Sequence, residues 1–211
     1  MKFEQNYYEN EDFSGEIIDV EELTRKKFMR CKFIETDFSN VSVFYNCTFD
    51  SCDFTAAKLN AVDIKNSAFL SCKFKYTSFF TTKFDECKMV GSAFTDCDCD
   101  MIQVEGGDWS YTNLRHLSFS KQELCGIRFY GADLSGCRFE QCKMNDCEFD
   151  EAIVHETSFY GSDIRRSSLG NIDLSSINLK NTKVDMNQCV YIAEFLTEAK
   201  YKPDEKVISK R

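Results

Sequence analysis

Every fifth residue from Phe49 to Val184 is uncharged, and most of these residues are large and apolar. The series runs unbroken through 28 positions, and its centres include Phe49, Phe54, Phe69, Phe74, Phe94, Trp109, Phe129, Phe149 and Phe159. A second series, Phe13, Ile18, Leu23, Phe28, Phe33 and Phe38, keeps the same spacing but lies one residue out of phase. One extra residue between Phe38 and Phe49, near Val43 and Phe44, accounts for the offset and reads as a bulge or a small corner change. Two residues before each centre the side chain is mostly small, as at Cys47, Cys52, Ala57, Ser67, Cys72, Thr77, Cys137 and Ser162.

A period of five is neither the 3.6 of a helix nor the 2 of a strand. It implies one short straight face per five residues, then a turn. The large centre and the small residue two before it point inward, and the other three point outward. Four faces close a coil of twenty residues, and coils stack at the strand spacing of ~4.8 Å. No single coil can bury its own apolar side chains, so stability should be a sum over neighbouring coils. Roughly nine coils at that spacing make a shaft of about 40 Å.

The ends and the middle depart from the rule. Glu11, Glu16, Glu21 and Lys26 occupy the small position of the first repeats. A buried unpaired charge is costly, so these coils are expected to distort and send those side chains to solvent. Residues 1–30 then form a cap, and residues 31–186 the regular solenoid. After Val184 the period stops, and Asn187 to Ala199 reads as a helix with a broad apolar face. Residues 187–211 are thus a helix and tail. Part of that face covers the last coil, and Val190, Ile192, Ala193, Phe195 and Leu196 are expected to form a two-fold homodimer contact. In the middle, Ile102, Leu117 and Ile127 are large at the small position and Gln122 is polar there. Gly107 precedes Trp109, a pairing that conserves volume. These features predict a local change in coil shape, and Gln122 needs an internal partner if buried.

Composition narrows the function. The chain has 211 residues, 20 of them Phe, with one Pro and nine Gly, as suits long regular structure. Its opening, Met1 to Asn6, has no apolar core and no stretch is long enough to span a bilayer. A soluble, cytoplasmic protein with no membrane partner is expected. Nine of the 12 cysteines lie at the small position, which makes them small buried thiols and not disulfides or metal ligands. The net charge of −9 disfavours direct nucleic-acid binding and suits a basic protein partner. His116 and His155 are the two histidines, both on outward positions without an evident nucleophile. With no phosphate loop and no metal spacing, neither an enzyme nor a cofactor is expected. Acidic residues concentrate at outward positions: Asp85, Glu86, Asp96, Asp98, Asp100, Glu105 and Asp108, then Asp146, Glu148 and Asp150. They form a candidate partner-binding surface. Outward Tyr76, Phe80, Tyr111, Tyr130 and Tyr160 are further contact candidates.

The unit small–polar–Leu/Phe–polar–x, as in Ala132-Asp133-Leu134-Ser135-Gly136, resembles the pentapeptide-repeat family over residues 13–185. That resemblance implies an all-β fold, a right-handed quadrilateral β-helix, here with a short C-terminal α-helix. Four stretches resemble the Qnr group more narrowly: Asp12 to Glu16 with Ile18, Thr112 to Leu114 with Phe119 to Lys121 and Leu124, Gly131 to Gly136, which is common to all pentapeptide repeats, and Leu179 to Asp185 with Gln188. The resemblance implies binding to DNA gyrase or topoisomerase IV by DNA mimicry, with lowered quinolone sensitivity. It also implies a dimer through the C-terminal helix. Many Qnr proteins carry projecting loops, whereas here the register holds from Phe49 to Val184 without an insertion. The chain is in that respect more similar to the loopless gyrase-binding relatives. The alternative is a structural or scaffold pentapeptide-repeat protein with another protein partner.

Overall fold

The computed structural model describes residues 3–202. Most of the tail that follows the helix lies outside the described residues. Each five-residue unit sets its centre inward on extended backbone and turns the chain two residues later. At most corners that residue is left-handed, with φ between +48° at Asn66 and +66° at Arg166 for the non-glycine cases. Such a residue costs about 1–2 kcal/mol. The corner amide offsets this by donating to the next coil, as Tyr76 N does to the Thr95 carbonyl at 3.0 Å and Gln141 N to Tyr160 at 2.8 Å.

Four centres complete one circuit, and each centre stands beneath its counterpart in the next. The first face carries Tyr8, Phe28, Phe49, Phe69, Met89, Trp109, Phe129, Phe149 and Leu169, which defines nine coils. The second face starts at Phe13, the third at Ile18 and the fourth at Leu23. Nine short strands mark the most regular ladders: β1 (Tyr7–Glu9), β2 (Glu22–Thr24), β3 (Lys27–Met29), β4 (Val43–Tyr45), β5 (Thr48–Asp50), β6 (Asp63–Lys65), β7 (Ala68–Leu70), β8 (Lys83–Asp85) and β9 (Gln103–Glu105). They form two parallel sheets, β1-β3-β5-β7 on the first face and β2-β4-β6-β8-β9 on the fourth. Partners are 20 residues apart, as in Thr48↔Ala68, but 21 apart across the second coil, as in Lys27↔Thr48 and Glu22↔Val43. The extra residue is absorbed at the corner after Phe38. Val41 is buried there, while Ser42 donates both its amide and its hydroxyl to the Glu21 carbonyl.

The centres pack at the coil spacing. Phe28, Phe49 and Phe69 stack with centroids 4.9 and 4.7 Å apart and planes within 8°. Phe119, Phe139 and Phe159 stack at 5.2 and 5.3 Å, with planes within 16°, lower in the shaft.

The small position does more than save space. Its hydroxyl or thiol donates to the carbonyl of a centre in the preceding coil, usually 23 residues back. Thr77 donates to Phe54, Thr82 to Leu59, Ser92 to Phe69 and Thr157 to Leu134, at 2.6–2.8 Å. Cysteines make the same clasp: Cys87 to Ile64 at 3.2 Å, Cys137 to Leu114 at 2.9 Å and Cys147 to Leu124 at 2.8 Å. Burial pushes the Cys87 and Cys142 thiols up to about 11 and those of Cys137 and Cys147 up to about 12. At neutral pH they are therefore protonated donors and poor nucleophiles.

The first coil is not distorted, because Tyr7↔Lys27, Asp12↔Lys32 and Ile17↔Asp37 keep the ladder in register. Glu11, Glu16 and Glu21 are exposed instead. The Lys26 ammonium reaches back over the open end to the carbonyls of Phe3 and Gln5, at 3.0 and 2.6 Å. Phe3 closes the aromatic column edge-on against Phe13 and Phe28.

At the other end α1 (Met186–Thr197) begins with a capping box, in which Asp185 and Gln188 exchange side-chain-to-backbone bonds. Gln188 is buried, and its amide donates to the carbonyls of Ile164 and Ser167 at 2.6 and 2.8 Å. This one side chain caps the helix and pins it to the shaft. Tyr191 and Ile192 pack against the core.

Replacing Thr157 with Val keeps its volume and removes its clasp. The Leu134 carbonyl keeps the Cys137 amide at 2.9 Å, so the loss is that of one neutral hydrogen bond, about 0.5–1.5 kcal/mol. Urea denaturation should show a loss in that range, whereas Thr157→Ser, which keeps the hydroxyl, should lose less.

Candidate functional site

The ten outward acids do not share one stripe. Asp85 and Glu105 pair in register on the fourth face. Glu86 and Asp146 sit on the corner after it. Asp108 and Glu148 flank first-face centres, and Asp150 follows one. Asp96 lies on the corner before the third face, and Asp98 and Asp100 bracket the centre Cys99 on that face.

Cations neutralise much of this set. Outward positions immediately before each centre form vertical columns in which signs alternate. On the first face Arg128 stands between Asp108, at 3.8 Å, and Glu148, at 2.7 Å. On the second face Lys32 meets Asp12 and Lys73 meets Asp53. On the fourth, Lys143 pairs with Glu123. Glu105 binds Lys83 at 2.8 Å and raises its pKa. Arg166 pairs with Asp146 at 2.7 Å and holds that carboxyl below its ordinary range. Each exposed pair contributes under about 1 kcal/mol, but the columns favour in-register stacking. Asp150 accepts from Ser168 and the Gly170 amide. Of the ten, those without an ion pair among the described residues are Asp85, Glu86, Asp96, Asp98, Asp100 and Asp150, and five of these six lie between positions 85 and 100. Exposed Glu11, Glu16, Asp19, Glu21 and Glu22 form a second acidic group in the first coil.

The aromatic candidates separate into two groups. Tyr76, Phe80 and Tyr111 are exposed, at 57, 45 and 60%. Tyr130 and Tyr160 are half-buried, and Tyr130 packs edge-on against Tyr111 at 5.5 Å. His155 does have a hydroxyl neighbour that spacing did not reveal, since Ser176 Oγ lies 3.0 Å from its Nδ1. Ser176 also accepts the Glu156 amide. The pair is exposed beside a cleft of about 240 Å³. Here the Ile153↔Asp173 bridge called for by the period is missing. No group of three or more His, Cys, Asp or Glu residues among the described residues is placed to hold a metal ion. No helix among them is long and apolar enough to cross a membrane.

The irregular middle has a specific geometry. Trp109 is buried, stacks on Phe94 and meets Phe84 edge-on. Its indole nitrogen is buried without a partner, as is Oε1 of Gln122. Gly107 is required for a reason other than the bulk of Trp109. It has φ +95°, and a Cβ there would stand 2.2 Å from the Cys87 carbonyl oxygen. Cys97 is half-exposed, and its thiol donates to the Phe74 carbonyl. A hydrogen bond with Cys99, together with burial, pushes the Cys97 thiol up.

Of the residues expected at a dimer contact, Ala193, Phe195 and Leu196 are exposed, and Leu196 is 68% accessible. Val190 is half-buried. Ile192 is half-buried and packs against the core.

A four-sided coil with a five-residue unit, an inward aromatic column and a small clasping residue defines a right-handed pentapeptide-repeat β-helix. Residues 110–146 match the family model for pentapeptide repeats, in eight copies. Its fold is similar to that of trypsin-treated QnrB1, a plasmid-mediated fluoroquinolone resistance protein. That match has a TM-score of 0.78 and 22% identity, covering 93% of this chain and 99% of that one. Full-length QnrB1 matches at a TM-score of 0.68 and 24% identity, over 90% of this chain and 99% of that one. The pentapeptide repeat protein MfpA of Mycobacterium tuberculosis (strain ATCC 25618 / H37Rv) is 26% identical over 89 residues, 40% of this chain. The chain spans about half the length of that curated relative, 49%.

Two glycine substitutions separate contact from conformation. Gly126 has φ +69° and open space around its Cβ position, whereas Gly107 faces a backbone oxygen. Gly126→Ala should cost about 1–2 kcal/mol from the left-handed backbone alone. Gly107→Ala should cost at least about 3 kcal/mol, since backbone strain and a clash add. Thermal denaturation of the two variants side by side reads the difference.

Proposed function

We propose that this chain is a non-catalytic binding protein that docks on a type II topoisomerase, DNA gyrase or topoisomerase IV, in place of DNA and lowers quinolone sensitivity. The observation that carries the reading is the belt of unneutralised acids, Asp85, Glu86, Asp96, Asp98 and Asp100, on a rod whose fold extends along 99% of a fluoroquinolone resistance protein. Nine coils at ~4.8 Å give a shaft of about 40 Å, and a two-fold dimer about twice that. Such a rod is long enough to lie across a basic DNA-binding saddle. The belt sits midway along it, where a saddle would meet it.

A second reading, a scaffold for another protein partner in the cytoplasm, is favoured by the alternating columns. A DNA backbone presents one sign of charge, whereas Asp108, Glu148, Asp146 and Glu105 each face a cation. The two readings divide on a titration into gyrase supercoiling and quinolone-induced cleavage assays at rising salt. Topoisomerase binding predicts inhibition or drug rescue that weakens with salt. It also predicts that a triple variant, Asp96→Asn with Asp98→Asn and Asp100→Asn, loses the effect about tenfold. Absence of any effect on gyrase and topoisomerase IV at tens of micromolar, as an order of magnitude for weak complexes, would leave the scaffold.

The dimer is part of the first reading and has its own test. Leu196→Asp places a charge on the exposed apolar face of α1 without touching Gln188 or Ile192. Light scattering should give twice the monomer mass for the parent chain and the monomer mass for the variant. A monomeric parent chain would remove the dimer from the proposal.

A further inference from the structure

The ladder that joins the fifth coil to the sixth is broken on two adjacent faces. On the first face it holds, with Met89 N donating to Asp108 at 2.8 Å and Asp108 N to Cys87 at 2.9 Å. On the second, Phe94 N donates to Asn113 at 2.9 Å. Beyond Phe94 the pairing stops. The period calls for bonds from Cys99 N to the Ser118 carbonyl, Val104 N to Glu123, Ser118 N to Cys97 and Glu123 N to Ile102. None of them forms, and the bridges Asp98↔Ser118 and Gln103↔Glu123 are absent. Above and below, the same faces are complete, as in Phe79 N to Asp98 at 2.7 Å and Phe119 N to Arg138 at 2.8 Å.

The clasp positions that span this level also depart from the rule. They are Leu117, Gln122 and Ile127, which by the period would donate to Phe94, Cys99 and Val104. Two have no donor, and all three are larger than the usual Ser, Thr or Cys. Gln122 carries the only polar side chain of the three, and its Oε1 is buried without a partner. The seam holds two clefts. One of about 350 Å³ is lined by Gln103, Glu105, Lys121 and Gln122, and one of about 300 Å³ by Asp96, Cys97, Arg115 and Leu117.

Unmatched backbone amides and carbonyls in register along a strand edge are complemented by another strand. Charge selects its kind. Arg115 is drawn away to Asp133 at 3.5 Å, and Glu123 is held by Lys143. That leaves Asp96, Asp98 and Asp100 on one lip against Lys121 on the other. We propose that the seam between the fifth and sixth coils is a receptor for an extended basic polypeptide segment, which pairs its backbone with the free lips. The proposal does not depend on the identity of the partner discussed above.

The test uses the full chain and a fluorescein-labelled peptide of alternating lysine and valine. Hydrogen exchange on the free protein should show fast exchange at the amides of Cys99, Val104, Ser118 and Glu123, and slow exchange at Phe79 and Phe119. The peptide should slow the four seam amides and leave the rest unchanged. The same peptide with N-methylated valines keeps its charge but loses strand donors, and should bind about tenfold more weakly or worse. The variant Leu117→Thr, Gln122→Ser, Ile127→Thr restores the clasps and should both slow the seam amides and abolish binding. Slow exchange at these amides in the free parent chain would overturn the proposal. So would equal binding of the N-methylated peptide, which would mark the contact as electrostatic adhesion. Both readouts use the parent chain and stand even where the triple variant fails to fold.

Discussion

The backbone of one coil is matched mainly by the coil twenty residues further on. Centre amides such as Phe54 N and Phe74 N donate forward at 2.8 Å, and the residues before them donate backward. That mutual dependence fixes the rise to ~4.8 Å per coil. It fixes what fits inside as well, since a planar ring stacked on its counterpart fills that height. It also explains why left-handed corners are tolerated at residues as unlike as Tyr76, Glu86 and Ala61. The corner amide has a waiting carbonyl, and a unit that declined the turn would forfeit it.

This dependence explains what could be read from the residues alone. The centres were legible because burial imposes one chemical demand at one spacing. The extra residue before Phe44 was legible because a slip of phase cannot be hidden in a strict period. The clasps were not. Spacing showed that Thr77, Ser92 and Cys137 are small, but their bonds run to residues 23 back, a separation set by the circuit of the coil. The cysteines were therefore read as inert fillers, when most of them are donors. Gln188 was hidden for a related reason, since its partners Ile164 and Ser167 belong to a different face of the preceding coil. Gly107 was legible as unusual but not for its cause, a neighbouring carbonyl that only the stacked structure supplies.

Charge was legible in amount and not in arrangement. A run of acids between positions 85 and 108 suggests a continuous negative face. Folding distributes them over faces and corners and sets several of them opposite a basic residue one coil away. Asp108, Arg128 and Glu148 are 20 residues apart, so the alternation is visible only once the circuit length is known. The alternation has a physical consequence for stacking. A slip by one coil would set like charges against each other, so the columns add register specificity to a shaft whose apolar centres are nearly interchangeable.

The break at the fifth and sixth coils is an instance of the same constraint turned the other way. Neighbouring coils are joined by ladder, clasp and core together. Leu117 and Ile127 carry no donor for a clasp, and Gln122 is longer than the usual Ser, Thr or Cys. Trp109 packs against Phe84 and Phe94 across this level, and the core stays continuous. A chain under selection for stability alone has small donors available at those positions, as it uses them at Thr77, Thr82 and Cys87 two coils earlier. Rule-breaking that gathers in one place, without a compensating bond, is the pattern of a site that serves a function. It coincides here with the level of the shaft where Asp96, Asp98 and Asp100 stand without counter-charges. The two departures from an ideal rod therefore fall at the same level of the shaft.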